Sequence, residues 1–83
     1  MTNALAYVLI TTRHGTSKEV AQKLMPFEEV QNIHQLFGQY DLIAIVFTKN
    51  NQELSDFVND KIIPISDIER TETLVISDIP KEG

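Results

Sequence analysis

Two places in this 83-residue chain offer groups that a ligand could use: Gly38, Tyr40 and Asp41 in one short stretch, and the alternating hydroxyls of Thr71 and Thr73 near the end. The run Phe37-Gly38-Gln39-Tyr40-Asp41 sets a glycine, an aromatic ring and an acid between two segments that read as strands. Gly38 can take the positive φ that a tight reversal needs. Asp41 stands at the mouth of the most apolar segment, Leu42-Ile43-Ala44-Ile45-Val46-Phe47. Loops held by a rigid scaffold are where binding residues tend to lie. A plain β-turn with a polar end explains the same residues. Thr71 and Thr73 alternate, so both hydroxyls point to one face of a strand; β-branched filler of an edge strand is the competing account.

Other reactive residues lack partners. His14 and His34 have no second ligand at metal-binding spacing, so neither zinc nor iron is indicated. Asp56 and Asp60 are four apart on one side of a helical segment with Glu53 a turn earlier, which reads as a solvated acidic face. The serines have no evident base, Arg13-His14 alone makes no active site, and no phosphate-binding or dinucleotide fingerprint occurs. The residues thus point to no catalysis and no cofactor.

The elements that must position these groups follow from the apolar pattern. Ala4–Thr12 reads as a strand with both alternating sets apolar: Ala6, Val8 and Ile10 against Leu5, Tyr7 and Leu9. Thr16-Ser17-Lys18-Glu19 has the form of a capping box, and Val20, Ala21 and Leu24 give a short amphipathic helix that Pro26 ends. Val30–Phe37 is a more polar strand, with Gln31, Asn32, His34 and Gln35, as an edge requires. Asp41–Thr48 is again apolar on both faces. Asn50 and Glu53 cap a second helix whose stripe is Leu54, Phe57, Val58 and Ile62, closed by Pro64. A turn at Ser66-Asp67 leads to a last strand, Ile68–Ser77, and Ile79–Gly83 reads as a loose tail.

The order β-α-β-β-α-β predicts one α+β domain over residues 1–83. It is ferredoxin-like, a four-stranded antiparallel sheet with two helices on one face. Right-handed crossovers put strands one and three at the centre and two and four at the edges. Two short helices cover one face only, and the other keeps half of the apolar residues of strands one and three. Self-association through that face, as a two-fold dimer, is the simplest way to cover it.

Composition narrows the class. The chain is 42% hydrophobic and 23% charged, as globular proteins are. It has no cysteine, which fits a reducing cytoplasm, and no signal segment or membrane-length apolar run. Its net charge is −5 and its seven basic residues are scattered, which argues against direct nucleic-acid binding.

Taken in order, the Ala6-to-Thr12 opening strand, the Gly38-Gln39-Tyr40-Asp41 turn, the apolar strand after it and Glu69-Arg70-Thr71-Glu72-Thr73 entering the last strand resemble the effector-binding domain of the Lrp/AsnC family. This domain is also called RAM, for regulation of amino acid metabolism. The resemblance runs from about Ala4 to Ser77. Two departures stand out. No helix-turn-helix precedes the first strand, so a stand-alone effector domain is expected. Where the family often has Gly-Val before the last strand, this chain has Asp67-Ile68, and Asp tolerates left-handed backbone better than most residues.

The resemblance implies a face-to-face sheet dimer of the dimeric α+β barrel type, rings of such dimers, and a small amino-acid-like effector held in a cleft between dimers. Carried onto this chain, Asp41 would pair with an ammonium group and the Gly38 backbone would approach closely. Tyr40 would complete the turn's share of the site, and the hydroxyls of Thr71 and Thr73 would hold a carboxylate. A full-length DNA-binding relative is a candidate partner through the shared sheet face. Two other readings share the architecture. One is a small monooxygenase or isomerase, which would need a buried acid or base between sheet and helices, for which His34 and Tyr7 are the candidates. The other is an ACT-like amino-acid-binding domain.

Overall fold

A computed structural model describes residues 3–77 of the chain. The stretch Ile79–Gly83, read above as a tail, lies outside them. The elements run β1 (Ala4–Thr12), α1 (Ser17–Leu24), β2 (Val30–Gln35), β3 (Leu42–Thr48), α2 (Asn51–Phe57), a π-helical turn (Val58–Ile62) and β4 (Ile68–Val75). The strands form one antiparallel sheet in the order β2-β3-β1-β4, so the two doubly apolar strands are central and the two polar ones are edges. This is the expected ferredoxin-like arrangement.

The sheet's two faces differ sharply. Ala6, Val8 and Ile10 of β1 and Ala44 and Val46 of β3 are completely buried, packed with Val20 and Leu24 of α1 and Ile62 after α2. Leu54, Phe57 and Val58 complete that core, so the whole stripe read from the second helix is buried. Phe27, after α1, meets Phe57 of α2 edge to face at 5.4 Å, tying the two helical segments together. On the opposite face Tyr7 remains 37% exposed, Phe47 39% and Leu74 43%.

Local signals were obeyed unequally. Asn50 caps α2 by accepting a hydrogen bond from the Glu53 amide at 2.8 Å, which stabilises a helix by about 1 kcal/mol. The capping box at Thr16 does not form. The Thr16 hydroxyl instead donates to the Arg13 carbonyl at 2.7 Å, closing the turn before α1. Thr16 has φ −112° and ψ 3°, outside the extended backbone from which a cap side chain reaches the first turn. β2 stops at Gln35 rather than Phe37, and β4 at Val75.

No described residue other than glycine has positive φ, so Asp67 does not take the left-handed geometry that its place in the turn suggested. It is pinned in another way. Its carboxylate accepts from Arg13 at 2.6 Å, and its carbonyl accepts from the Arg13 amide at 2.8 Å. These two bonds fasten the end of β1 to the entrance of β4.

Each edge strand carries one extra residue. Opposite the single step Val46 to Ile45, β2 runs from Val30 to Asn32 with Gln31 between. Opposite the step Thr11 to Thr12, β4 runs from Arg70 to Ile68 with Glu69 between. Both irregularities are β-bulges on edge strands.

Candidate functional site

The β2–β3 turn is built around Asp41. Its amide donates to the Ile10 carbonyl at 2.8 Å, and its carbonyl accepts from the Leu36 amide at 2.9 Å. Its Oδ2 accepts from the Thr12 amide at 2.8 Å and from the Thr12 hydroxyl at 3.2 Å. One residue therefore joins the end of β2 to the end of β1 across the start of β3. The carboxylate is partly committed within the chain, leaving Oδ1 without a hydrogen-bond partner among the described residues. Gly38 has φ 155° with open space where a side chain would project. It serves the backbone of the turn, and a close approach would come from outside the chain. Phe37 at the tip is almost fully exposed.

Tyr40 leaves this turn and crosses the end of the open face to β4. Its hydroxyl donates to Glu72, and the Arg70 guanidinium lies 6.0 Å from its ring centre. The phenol pKa is raised above its ordinary value, first by the hydrogen bond to Glu72, then by desolvation and the carboxylate's charge; Arg70 pulls the other way. The bond is present while the phenol is protonated and is lost as pH rises through the raised value. Spectrophotometric titration in a Tyr7→Phe background should place the Tyr40 midpoint above its ordinary value, and Glu72→Gln should bring it down. An unchanged midpoint in Glu72→Gln would disprove the contact in solution.

Register settles where the threonines point. Thr71 pairs with Ile10 and Thr73 with Val8, both core residues, so both threonines lie on the helix side of β4. Arg70, Glu72 and Leu74 pair with Thr11, Leu9 and Tyr7 on the open side. Within one chain, then, the turn meets β4 through Arg70 and Glu72, and Thr71 and Thr73 face the other way. Thr73 borders a cleft of about 290 Å³ between β4 and α2, with Asn51, Ser55 and Asn59 on its helical wall.

Sequence reasoning missed both groups of neighbours. Strand alternation already separated Glu72 from the threonines and could have found the first. The second repeats every fourth residue along α2 and the π-helical turn after it, a signal that counting only apolar positions passes over.

His34 pairs with Ile43 and Tyr7 with Ile45, and both lie on the open face. Neither stands between sheet and helices, where the enzyme reading needed them. Among the described residues no three His, Cys, Asp or Glu side chains gather as metal ligands, and no helix is long and apolar enough to cross a membrane.

Comparison with known proteins agrees with the fold. The chain is 35% identical over 80 residues to the HTH-type transcriptional regulator FL11 of Pyrococcus furiosus, covering 96% of this chain and 52% of that protein. It thus spans about half the length of the curated relatives it matches. Two solved structures of similar size superpose closely. The hypothetical protein PHS023 of Pyrococcus horikoshii does so with TM-score 0.85 at 32% identity, covering 92% of this chain and 92% of that one. TTHA0845 of Thermus thermophilus does so with TM-score 0.86 at 30% identity, covering 95% and 99%. The Lrp/AsnC ligand binding domain matches residues 5–83. Residues 5–83 are such a domain, and the chain belongs to the Lrp/AsnC family, whose matched members are transcriptional regulators.

Proposed function

We propose that this chain is a non-catalytic regulatory module that binds a small amino-acid-like effector and acts by assembling with copies of itself and with other family members. The observation that carries this reading is the contrast between the sheet's faces, one sealed by helices and the other apolar and open. A patch that includes Tyr7, Phe47, Leu74 and Ile76 costs free energy while it faces water and is covered by a second copy in a two-fold, sheet-to-sheet dimer.

The proposed effector site joins Gly38, Tyr40 and Asp41 with Thr71 and Thr73. Because the turn and the threonines lie on opposite sides of β4, these five groups come together only when a neighbouring protomer supplies one set. The effector then sits where dimers meet, and its binding is coupled to assembly. Direct contact with duplex DNA is left to a partner, because this chain carries net charge −5.

A thermal-shift screen of the twenty amino acids tests the reading. An effector at 100 times its dissociation constant adds about 2.7 kcal/mol of stability, a shift of several degrees in a domain this small. Failure of all twenty to raise the melting temperature would reject an amino-acid effector.

A further inference from the structure

Charged and titratable groups are few on the open face, and they are unevenly placed. Among the described residues they are His34 on β2, Tyr7 on β1 and Arg70 and Glu72 on β4, with Tyr40 reaching over from the turn; β3 contributes none. Strand register arranges the face in rows. One row runs His34–Ile43–Leu9–Glu72, so a histidine and a carboxylate stand at its two ends with only apolar residues between them. The next runs Asn32–Ile45–Tyr7–Leu74, and Phe47, Leu5 and Ile76 lie beyond it. His34 and Glu72 are both exposed. Among the described residues His34 has no side-chain partner, and Glu72 accepts the Tyr40 hydroxyl through Oε1 alone.

A two-fold axis relating two facing sheets lies in the plane between them. Run across the strands, the axis sets β4 over β4 and inverts the rows, so Arg70 and Glu72 press against Leu74 and Ile76 of the second copy. Buried charges without partners are costly. Shifting such an axis until Glu72 met Arg70 would carry it to one end of the strands and leave Leu5, Phe47 and Ile76 in water. Run along the strands, the axis sets β3 over β1 and β2 over β4. Ile43, Ile45 and Phe47 then cover Leu9, Tyr7 and Leu5, and each copy's His34 stands over the other's Glu72. Packed sheets are about 10 Å apart, a gap that a histidine and a glutamate side chain span together.

We infer, given the sheet-to-sheet dimer proposed above, that its two-fold axis runs along the strands and that two His34–Glu72 pairs between copies make the dimer tighten as pH falls. Histidines change charge between about pH 5 and 8, whereas carboxylates ordinarily do so below that window and phenols and guanidinium groups above it. A protonated imidazole gains a carboxylate in the dimer and has none in the separate copy. The dimer therefore binds more protons than two separate copies. Its added stability is full below the window and is lost as pH rises through it.

The chain has no cysteine, so introduced thiols test the axis directly. His34→Cys mixed with Glu72→Cys and oxidised with copper phenanthroline should give disulfide-linked dimers containing one copy of each, and neither variant alone should. Within one chain the two positions are three strand spacings apart, about 14 Å, too far for a disulfide. Linkage of either variant to itself as readily as to the other, or no linkage at all, overturns the axis, while a parent that is dimeric by light scattering keeps the sheet-to-sheet reading. A monomeric parent removes that reading and this inference together. In sedimentation equilibrium the parent's dimer dissociation constant should fall about tenfold from about pH 8 to about pH 5.5. Self-repulsion between copies of net charge −5 also eases as pH falls. His34→Gln keeps that effect and lacks the imidazole, so its dissociation constant should fall clearly less. A fall as steep in His34→Gln as in the parent, or none in the parent, overturns the pH response.

Discussion

Ile45→Asp should turn the protein into a monomer without unfolding it. Ile45 lies at the middle of β3 on the open face, beside Tyr7 and Asn32, with no acidic neighbour in register on either adjoining strand. In a monomer the new carboxylate stays hydrated. In a two-fold sheet-to-sheet dimer it is buried twice, once from each copy, and its own strand neighbours Tyr7 and Asn32 offer no cation. An unpaired buried charge costs about 3–5 kcal/mol, which weakens dimerisation by more than about 100-fold. Light scattering at micromolar concentration should show the parent as a dimer or a multiple of one. The variant should have half the mass or less and an unchanged far-ultraviolet spectrum. A variant that stays dimeric would remove the open face from the interface.

The second large effect belongs to Asp41. Removing its carboxylate leaves the Thr12 amide, in a buried residue at the end of β1, without its acceptor. Asp41→Ala should therefore lose about 1–3 kcal/mol of stability in urea unfolding even with no effector present. Asp41→Asn keeps an oxygen in the same place and should recover most of that loss. If Asp41→Ala matches the parent, the bond to Thr12 is idle. The pair also separates two roles. A charge-assisted bond to an ammonium group contributes about 1.5–3 kcal/mol, so Asp41→Asn should bind an amino-acid effector roughly ten- to hundred-fold more weakly while remaining stable.

The Thr12 contact at Asp41 marks the boundary of what the sequence discloses. The strands were legible because β1 and β3 are apolar at nearly every position and β2 is not, which dictates centre and edge. The second helix was legible because Leu54, Phe57, Val58 and Ile62 share a face and Asn50 has no better use than capping. Thr16 donates to the Arg13 carbonyl instead, and a pattern of residue types does not disclose the backbone angles that a cap needs. The bulges at Gln31 and Glu69 were hidden for a related reason. Alternation in one strand says nothing of an extra residue until the partner strand's register is known. The same limit applied to the site. Gly38, Tyr40, Asp41, Thr71 and Thr73 could be singled out by type. That Tyr40 would reach Glu72, and that the threonines would turn toward α2, depends on pairing between β1 and β4, strands at opposite ends of the chain.

Those two bulges also bear on how an assembly of this protein can grow. A sheet lengthens at its edges, where another strand can add to unpaired backbone groups, and addition of that kind has no natural end. Here each edge is interrupted by an unpaired residue, and β4 also carries the charges of Glu69, Arg70 and Glu72. A further strand finds neither a straight row of donors and acceptors nor a neutral surface. The face, by contrast, is continuous, and the proposed two-fold dimer would use it up. The bulged, charged edges thus oppose growth by strand addition, the route to fibres.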